Sequence, residues 1–89
     1  MPVKKTTITN KLGLHARAAT KFANIANKYA CQVDVTFGKK TINGKSIMSL
    51  MLLAAAKGSK IQLTTQGEDE LDALNELLTL IENKFDEGE

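Results

Sequence analysis

The stretch CQVDVTFGKKTING, residues 31–44, decides how this chain folds. Cys31, Val33, Val35 and Phe37 alternate with Gln32, Asp34 and Thr36, and a period of two puts the first set on one face of a strand and the second on the other. One face is apolar and the other polar, so the strand is half-buried. Gly38 and Lys39 supply a tight turn into a second short strand, Lys40 to Ile42, which Asn43-Gly44 breaks. Strands apolar on one face only belong to an antiparallel or mixed sheet that is open to water on its other side.

The flanking segments carry helix and strand periods in turn. Before residue 31, Ala19, Phe22, Ala23 and Ala26 recur at spacings of three and four, a helix stripe within Ala16 to about Lys28. Asn10 to Gly13 reads as loop, and the Thr-rich Val3 to Thr9 as a strand with weak alternation. After residue 44, Ser46 is a good N-cap for a short helix ending near Leu53. Lys57-Gly58-Ser59 closes that unit, and Ile61, Leu63 and Thr65 alternate as a fourth strand. Gly67 leads into a third helix with a stripe of Leu71, Leu74, Leu78, Ile81 and Phe85, and Asp86 to Glu89 reads as a frayed tail. The order β-α-β-β-α-β-α, with each helix apolar along one stripe, predicts a two-layer α+β sandwich.

Composition narrows the class. At 89 residues one domain, 1–89, is expected. A single cysteine excludes an internal disulfide, and one His with one Cys is too few for a zinc site of the usual kind, so neither metal nor cofactor is called for. The start MPVKK lacks a signal peptide's apolar stretch. The longest apolar run, Ile47 to Ala56 with Ser49 inside it, falls short of the roughly 20 residues of a membrane span. A lone thiol without an export signal fits a reducing cytoplasm, and the expectation is a small soluble monomer there. The formal net charge of +2 conceals a split: residues 1–60 hold eleven cations against one acid, Asp34, a net +10, and residues 61–89 hold Lys84 against nine acids, a net −8. The basic stretch calls for an anionic partner. Nucleic acid is a poor candidate, because Phe22, Tyr29 and Phe37 are its only aromatics and give no stacking array.

The helix starts localise that charge. A helix N-terminus carries unpaired N–H groups and about half a positive charge. The third helix supplies its own acids, Glu68, Asp69, Glu70 and Asp72, whereas the first two starts, near Leu14-His15-Ala16-Arg17 and Ser46-Ile47-Met48, have none. Either open start suits a phosphate. His15 is the only histidine and Arg17 the only arginine, and they stand two residues apart after a loop glycine. An imidazole with an ordinary pKa near 6.5 is largely neutral at pH 7, and its attack on phosphorus gives a P–N bond that keeps the phosphoryl group transferable. The amides of Ala16 and Arg17 would bond the phosphoryl oxygens, and the Arg17 fork matches phosphate geometry. Small residues at Ala16, Ala18 and Ala19 would leave room for a partner protein. The plainer alternative is that His15 only caps its helix and Arg17 is a solvated surface residue; an acid-free start beside the only arginine weighs against it. Ser46 reads either as a cap alone or as a phosphorylated cap. The second helix is apolar nearly all round, so Leu50, Leu52, Leu53, Ile47, Met48 and Met51 divide between core and contact surface.

The segments Asn10-Lys11-Leu12-Gly13-Leu14-His15-Ala16-Arg17, Gly44-Lys45-Ser46-Ile47-Met48 and Ala56-Lys57-Gly58 resemble the HPr family, the phosphocarriers of the bacterial phosphoenolpyruvate-dependent sugar phosphotransferase system. The resemblance spans the whole chain. It implies an open-faced sandwich of four antiparallel strands and three helices, and no enzymatic cycle of its own. It also implies that Enzyme I, charged by phosphoenolpyruvate, phosphorylates His15 at Nδ1 with Arg17 stabilising the group. Enzyme IIA components then receive it for sugar uptake, and an HPr kinase/phosphorylase modifies Ser46. Ile47, Met48 and Met51, with Ala16 and Thr20, are the implied docking residues. The family pattern His-x-Arg-Pro has Ala18 in its fourth position here. Ile8-Thr9-Asn10-Lys11-Leu12-Gly13 and Phe85-Asp86-Glu87 also look like the nitrogen-related branch of the system, whose members act mainly as regulatory binders.

Overall fold

A computed structural model describes residues 2–86. Its elements are β1 (Val3–Thr7), α1 (Ala16–Ala26), β2 (Gln32–Phe37), β3 (Lys40–Asn43), α2 (Ile47–Leu53), β4 (Lys60–Gln66) and α3 (Glu70–Glu82), followed by a turn over Lys84–Asp86. The order is β-α-β-β-α-β-α, and the four strands form one antiparallel sheet, β1-β4-β2-β3, with the helices on one face. Asp34 to Phe37 pairs with Asn43 to Lys40, so residues 34–43 form a hairpin with a two-residue turn.

The register explains the core. Val35 stands opposite Leu63 on one side and Ile42 on the other, and Val33 opposite Thr65. Period-two alternation therefore sends Val33, Val35, Ile61 and Leu63 together toward the helices. Ala18, Ala19, Phe22, Ala23 and Ala26 of α1, Leu50 and Leu53 of α2, and Ala73, Leu74, Leu77, Leu80 and Ile81 of α3 meet them as one cluster. Thr65 is buried with its hydroxyl donating to the Glu70 carbonyl at 2.9 Å, which satisfies a polar group in the interior.

Several boundaries and faces differ from the sequence reading. β1 stops at Thr7, because Ile8 leaves the ladder and exchanges backbone bonds with the 58–59 loop: its N–H donates to Ser59 at 2.9 Å and its carbonyl accepts from Gly58 at 2.7 Å. α1 ends at Ala26, capped by Asn27. The buried face of α3 is wider than the expected stripe: Leu74 and Ile81 are buried and Leu78 is half-buried against the core, Ala73, Leu77 and Leu80 join them, and Leu71 of the stripe is 62% exposed. Apolar residues cover a wide arc of α3, and contact with α1 and β4 buries the part of it that includes Leu74 and Ile81 and leaves Leu71 outside. Phe85 is buried but lies beyond α3, in a turn whose three residues have φ of 55°, 55° and 62°, the left-handed region. The Lys21 ammonium donates to the Phe85 carbonyl at 2.9 Å and fastens this turn to α1. Of the expected frayed tail, residues 87–89 lie outside the described residues.

The acids of α3 also do more than face water. Asp69 makes no side-chain cap on its own helix; its carboxylate accepts from the N–H groups of Ala30 (2.8 Å) and Cys31 (2.9 Å), binding the start of α3 to the start of β2. Those bonds, Ala30 first, hold its pKa below the usual carboxylate range. Glu76 accepts from the Lys28 ammonium at 2.7 Å and from the Tyr29 hydroxyl, and these bonds, Lys28 first, pull its pKa down. The Tyr29 pKa is pushed up to about 12, chiefly by that bond to Glu76.

Candidate functional site

His15 is the N-cap of α1. Its backbone is extended, at φ −80° and ψ −177°, and its side chain turns back over the first turn, so that Nδ1 accepts the Arg17 N–H at 3.3 Å. Its carbonyl accepts the Ala19 N–H at 2.8 Å, the first bond of the helix. An Nδ1 that accepts an N–H carries its lone pair rather than a proton, which is the nucleophilic state of that atom. No acid stands in the first turn of α1 or of α2. The plainer reading, a histidine that caps, is thus correct as geometry, and the cap orients Nδ1 toward the start of α1.

Around the ring, Ala16 and Arg17 are exposed, and the half-buried Thr20 hydroxyl donates to the Ala16 carbonyl at 2.8 Å. Ala18 and Ala19 are fully buried, contrary to the expectation that they give a partner room. They face the core because α1 carries its apolar stripe on that side, and only Ala16 opens outward. A shallow depression of about 260 Å³ lies beside the imidazole, lined by Leu12, Leu14, Met51 and the segment Ala54 to Ala56. Leu12, 67% exposed in the loop before α1, extends the apolar surface near His15.

Ser46 caps α2, its hydroxyl oxygen accepting the Ser49 N–H at 3.2 Å. Leu50 and Leu53 are buried, whereas Ile47 (39%), Met48 (65%), Met51 (41%) and Leu52 (72%) are exposed. The division of α2 between core and surface therefore follows its period, with Leu52 the residue that sequence left unassigned. Ser46 and the His15 depression are at opposite ends of α2, since Met51 and Ala54 line the depression and Ser46 starts the helix. Three lysines of the basic stretch are tied internally: Lys28 is paired with the Glu76 carboxylate, whereas Lys21 and Lys45 donate to the neutral carbonyls of Phe85 and of Tyr29, the latter at 2.7 Å, and keep their charge. Among the described residues no group of three or more His, Cys, Asp and Glu side chains could hold a metal, and no helix is long and apolar enough to cross a membrane.

Residues 3–83 match the family model described as "PTS HPr component phosphorylation site", the system being the phosphotransferase system. The chain belongs to the HPr family. It is 56% identical to the phosphocarrier protein HPr of Pseudomonas aeruginosa, with all of both chains covered. It is 39% identical to the phosphocarrier protein NPr of Shewanella violacea, over 96% of this chain and 93% of that one. The crystal structure of HPr-C-His from Thermoanaerobacter tengcongensis superposes with a TM-score of 0.95 at 41% identity, covering 98% of each chain. As an HPr-family member the protein is a phosphocarrier of the phosphotransferase system, with the HPr fold of four antiparallel strands and three helices.

Proposed function

We propose that His15 is the phosphoryl acceptor of this carrier, charged at Nδ1 by Enzyme I with phosphoenolpyruvate as the ultimate donor and discharged to enzyme IIA components in the cytoplasm. The observation that carries this reading is the imidazole lone pair held at an acid-free helix start by the Arg17 N–H. In the transfer, Nδ1 forms the N–P bond as the bond from phosphorus to the donor breaks, and the donor keeps that electron pair. Once Nδ1 is phosphorylated it no longer accepts, and the Arg17 N–H is placed to turn to a phosphoryl oxygen, joined by the Ala16 N–H. The positive end of the eleven-residue α1 and the Arg17 guanidinium stabilise the dianion. The protein then acts as a carrier without an enzymatic cycle of its own.

Docking uses the apolar side chains that α2 leaves outside, Ile47, Met48 and Met51, together with Ala16 and Thr20. Ser46 is a regulatory phosphorylation site for an HPr kinase/phosphorylase; its half-buried hydroxyl at an acid-free start supports this reading. The test of the main proposal is incubation with Enzyme I and radiolabelled phosphoenolpyruvate. Acid-labile, base-stable label is expected, absent from His15→Ala, and label on any other residue overturns the assignment. A role in the nitrogen-related branch is supported by the Ile8 to Gly13 segment and by the NPr relative. Faster charging by the Enzyme I of that branch than by the sugar-system enzyme would select it.

A further inference from the structure

The loop that delivers His15 is organised by a side chain in its interior. Asn10 is fully buried. Its Nδ2–H donates to the Gly13 carbonyl at 2.7 Å, and its backbone carbonyl accepts the Gly13 N–H at 3.2 Å, so Asn10 holds both backbone polar groups of Gly13. Burying an amide is costly unless it is bonded, and the Nδ2–H of this one is bonded to the backbone of the loop it belongs to. Gly13 has φ +68°, and a Cβ there would fall 2.7 Å from the Ala55 oxygen and 2.8 Å from the Ala56 Cα. The loop therefore lies hard against the segment after α2. Leu14, itself buried, completes the clamp: its N–H donates to the Ala55 carbonyl at 2.9 Å.

His15 follows with no residue between. Its Nδ1 reaches the Arg17 N–H at 3.3 Å, a bond long enough to be lost if the cap swings out by a fraction of an ångström. We infer that Asn10 is a positioning residue for phosphoryl transfer: its buried carboxamide fixes the Gly13 peptide between itself and Ala55, and that sets where the His15 imidazole stands against the Arg17 N–H. The inference rests on His15 as the phosphoryl acceptor and adds what holds it in place.

Asn10→Asp is nearly isosteric and puts an acceptor where the Gly13 carbonyl needs a donor; Asn10→Ser keeps a donor on a shorter arm. Both are compared with wild type in single-turnover charging by phosphorylated Enzyme I, with the Arg17 amide proton followed by NMR and folding checked by circular dichroism. Asn10→Asp is expected to lower the maximal charging rate about tenfold or more, with half-saturation by Enzyme I changed less than twofold. The Arg17 amide resonance should move at the same time, and Asn10→Ser should recover part of both. Folded variants that charge at the wild-type rate with the Arg17 resonance unmoved overturn the inference. So does a loss confined to half-saturation, which would place Asn10 in docking. Failure of both variants to fold at 20 °C would assign Asn10 to stability alone and likewise overturn it. Absence of charging in wild type would instead strike the reading of His15, so the two failures are distinct.

Discussion

Ala54 follows α2 at φ 56° and ψ 36°, with its N–H donating to the Met51 carbonyl at 3.2 Å. In this left-handed region a Cβ crowds the next carbonyl, at about 1–2 kcal/mol per residue, and glycine is the usual occupant of such a helix end. Ala54→Gly is therefore expected to stabilise the fold by about 1 kcal/mol, read as a higher urea midpoint at unchanged m-value. An unchanged or lower midpoint would show that the loop relaxes around the alanine at no cost. The strain was invisible in the sequence, since an alanine among Ala54, Ala55 and Ala56 gives no hint of its φ. Asn10 was hidden for a related reason: an asparagine three residues before a glycine marks a turn, but only the fold decides that its amide faces inward. That His15 stands at an acid-free helix start, by contrast, was readable from the sequence, while the choice of Nδ1 as the capping atom needed coordinates.

The start of α1 shows what an element inherits from its first turn. Ala18 is the third helical residue, buried, and an N–H at that position has no partner within the helix. Ala18→Pro therefore forgoes no helical bond while restricting the unfolded chain. A gain of about 0.4–1 kcal/mol is expected, or roughly 2–6 °C in Tm by calorimetry, with charging of His15 retained. A fall in Tm would mean the proline ring meets the core around Phe22. Element order was readable because the sheet and helix periods of this chain rarely compete, and Ser46 marked the α2 start without ambiguity. On α3 the expected stripe holds at Leu74 and Ile81 and fails at Leu71, which fits the helix period as well as the buried Ala73, Leu77 and Leu80 do. Propensity cannot break that tie; packing against α1 and β4 does.

Across the whole molecule, the apolar seam between α3 and the rest is flanked by polar groups that titrate in opposite senses. Asp69 and Glu76 have pKa values lowered by their folded partners, so their contribution is present above the ordinary carboxylate range and is lost as pH falls through the lowered values. Tyr29, raised to about 12, contributes below its ordinary 10 and loses that contribution as pH rises between the two. The expected Tm profile is a plateau from about pH 5 to 9 that declines on both sides. Asp69→Asn and Glu76→Gln should flatten the acid decline, and Tyr29→Phe the alkaline one; an acid limb equally steep in the double variant would refute the assignment. Neither partner set was readable beforehand, because Ala30 and Asp69 are 39 residues apart and backbone N–H groups leave no mark in a sequence. The same seam closes over Cys31, which is 2% exposed, its pKa raised chiefly by burial, with Gly67 so close that a Cβ there would lie 2.8 Å from the Cys31 Cα. The chain's one thiol is thus a built-in reporter: an alkylating reagent can reach it only when the segment before β2 parts from the Gly67 to Asp69 segment, and its labelling rate in the native protein times that opening.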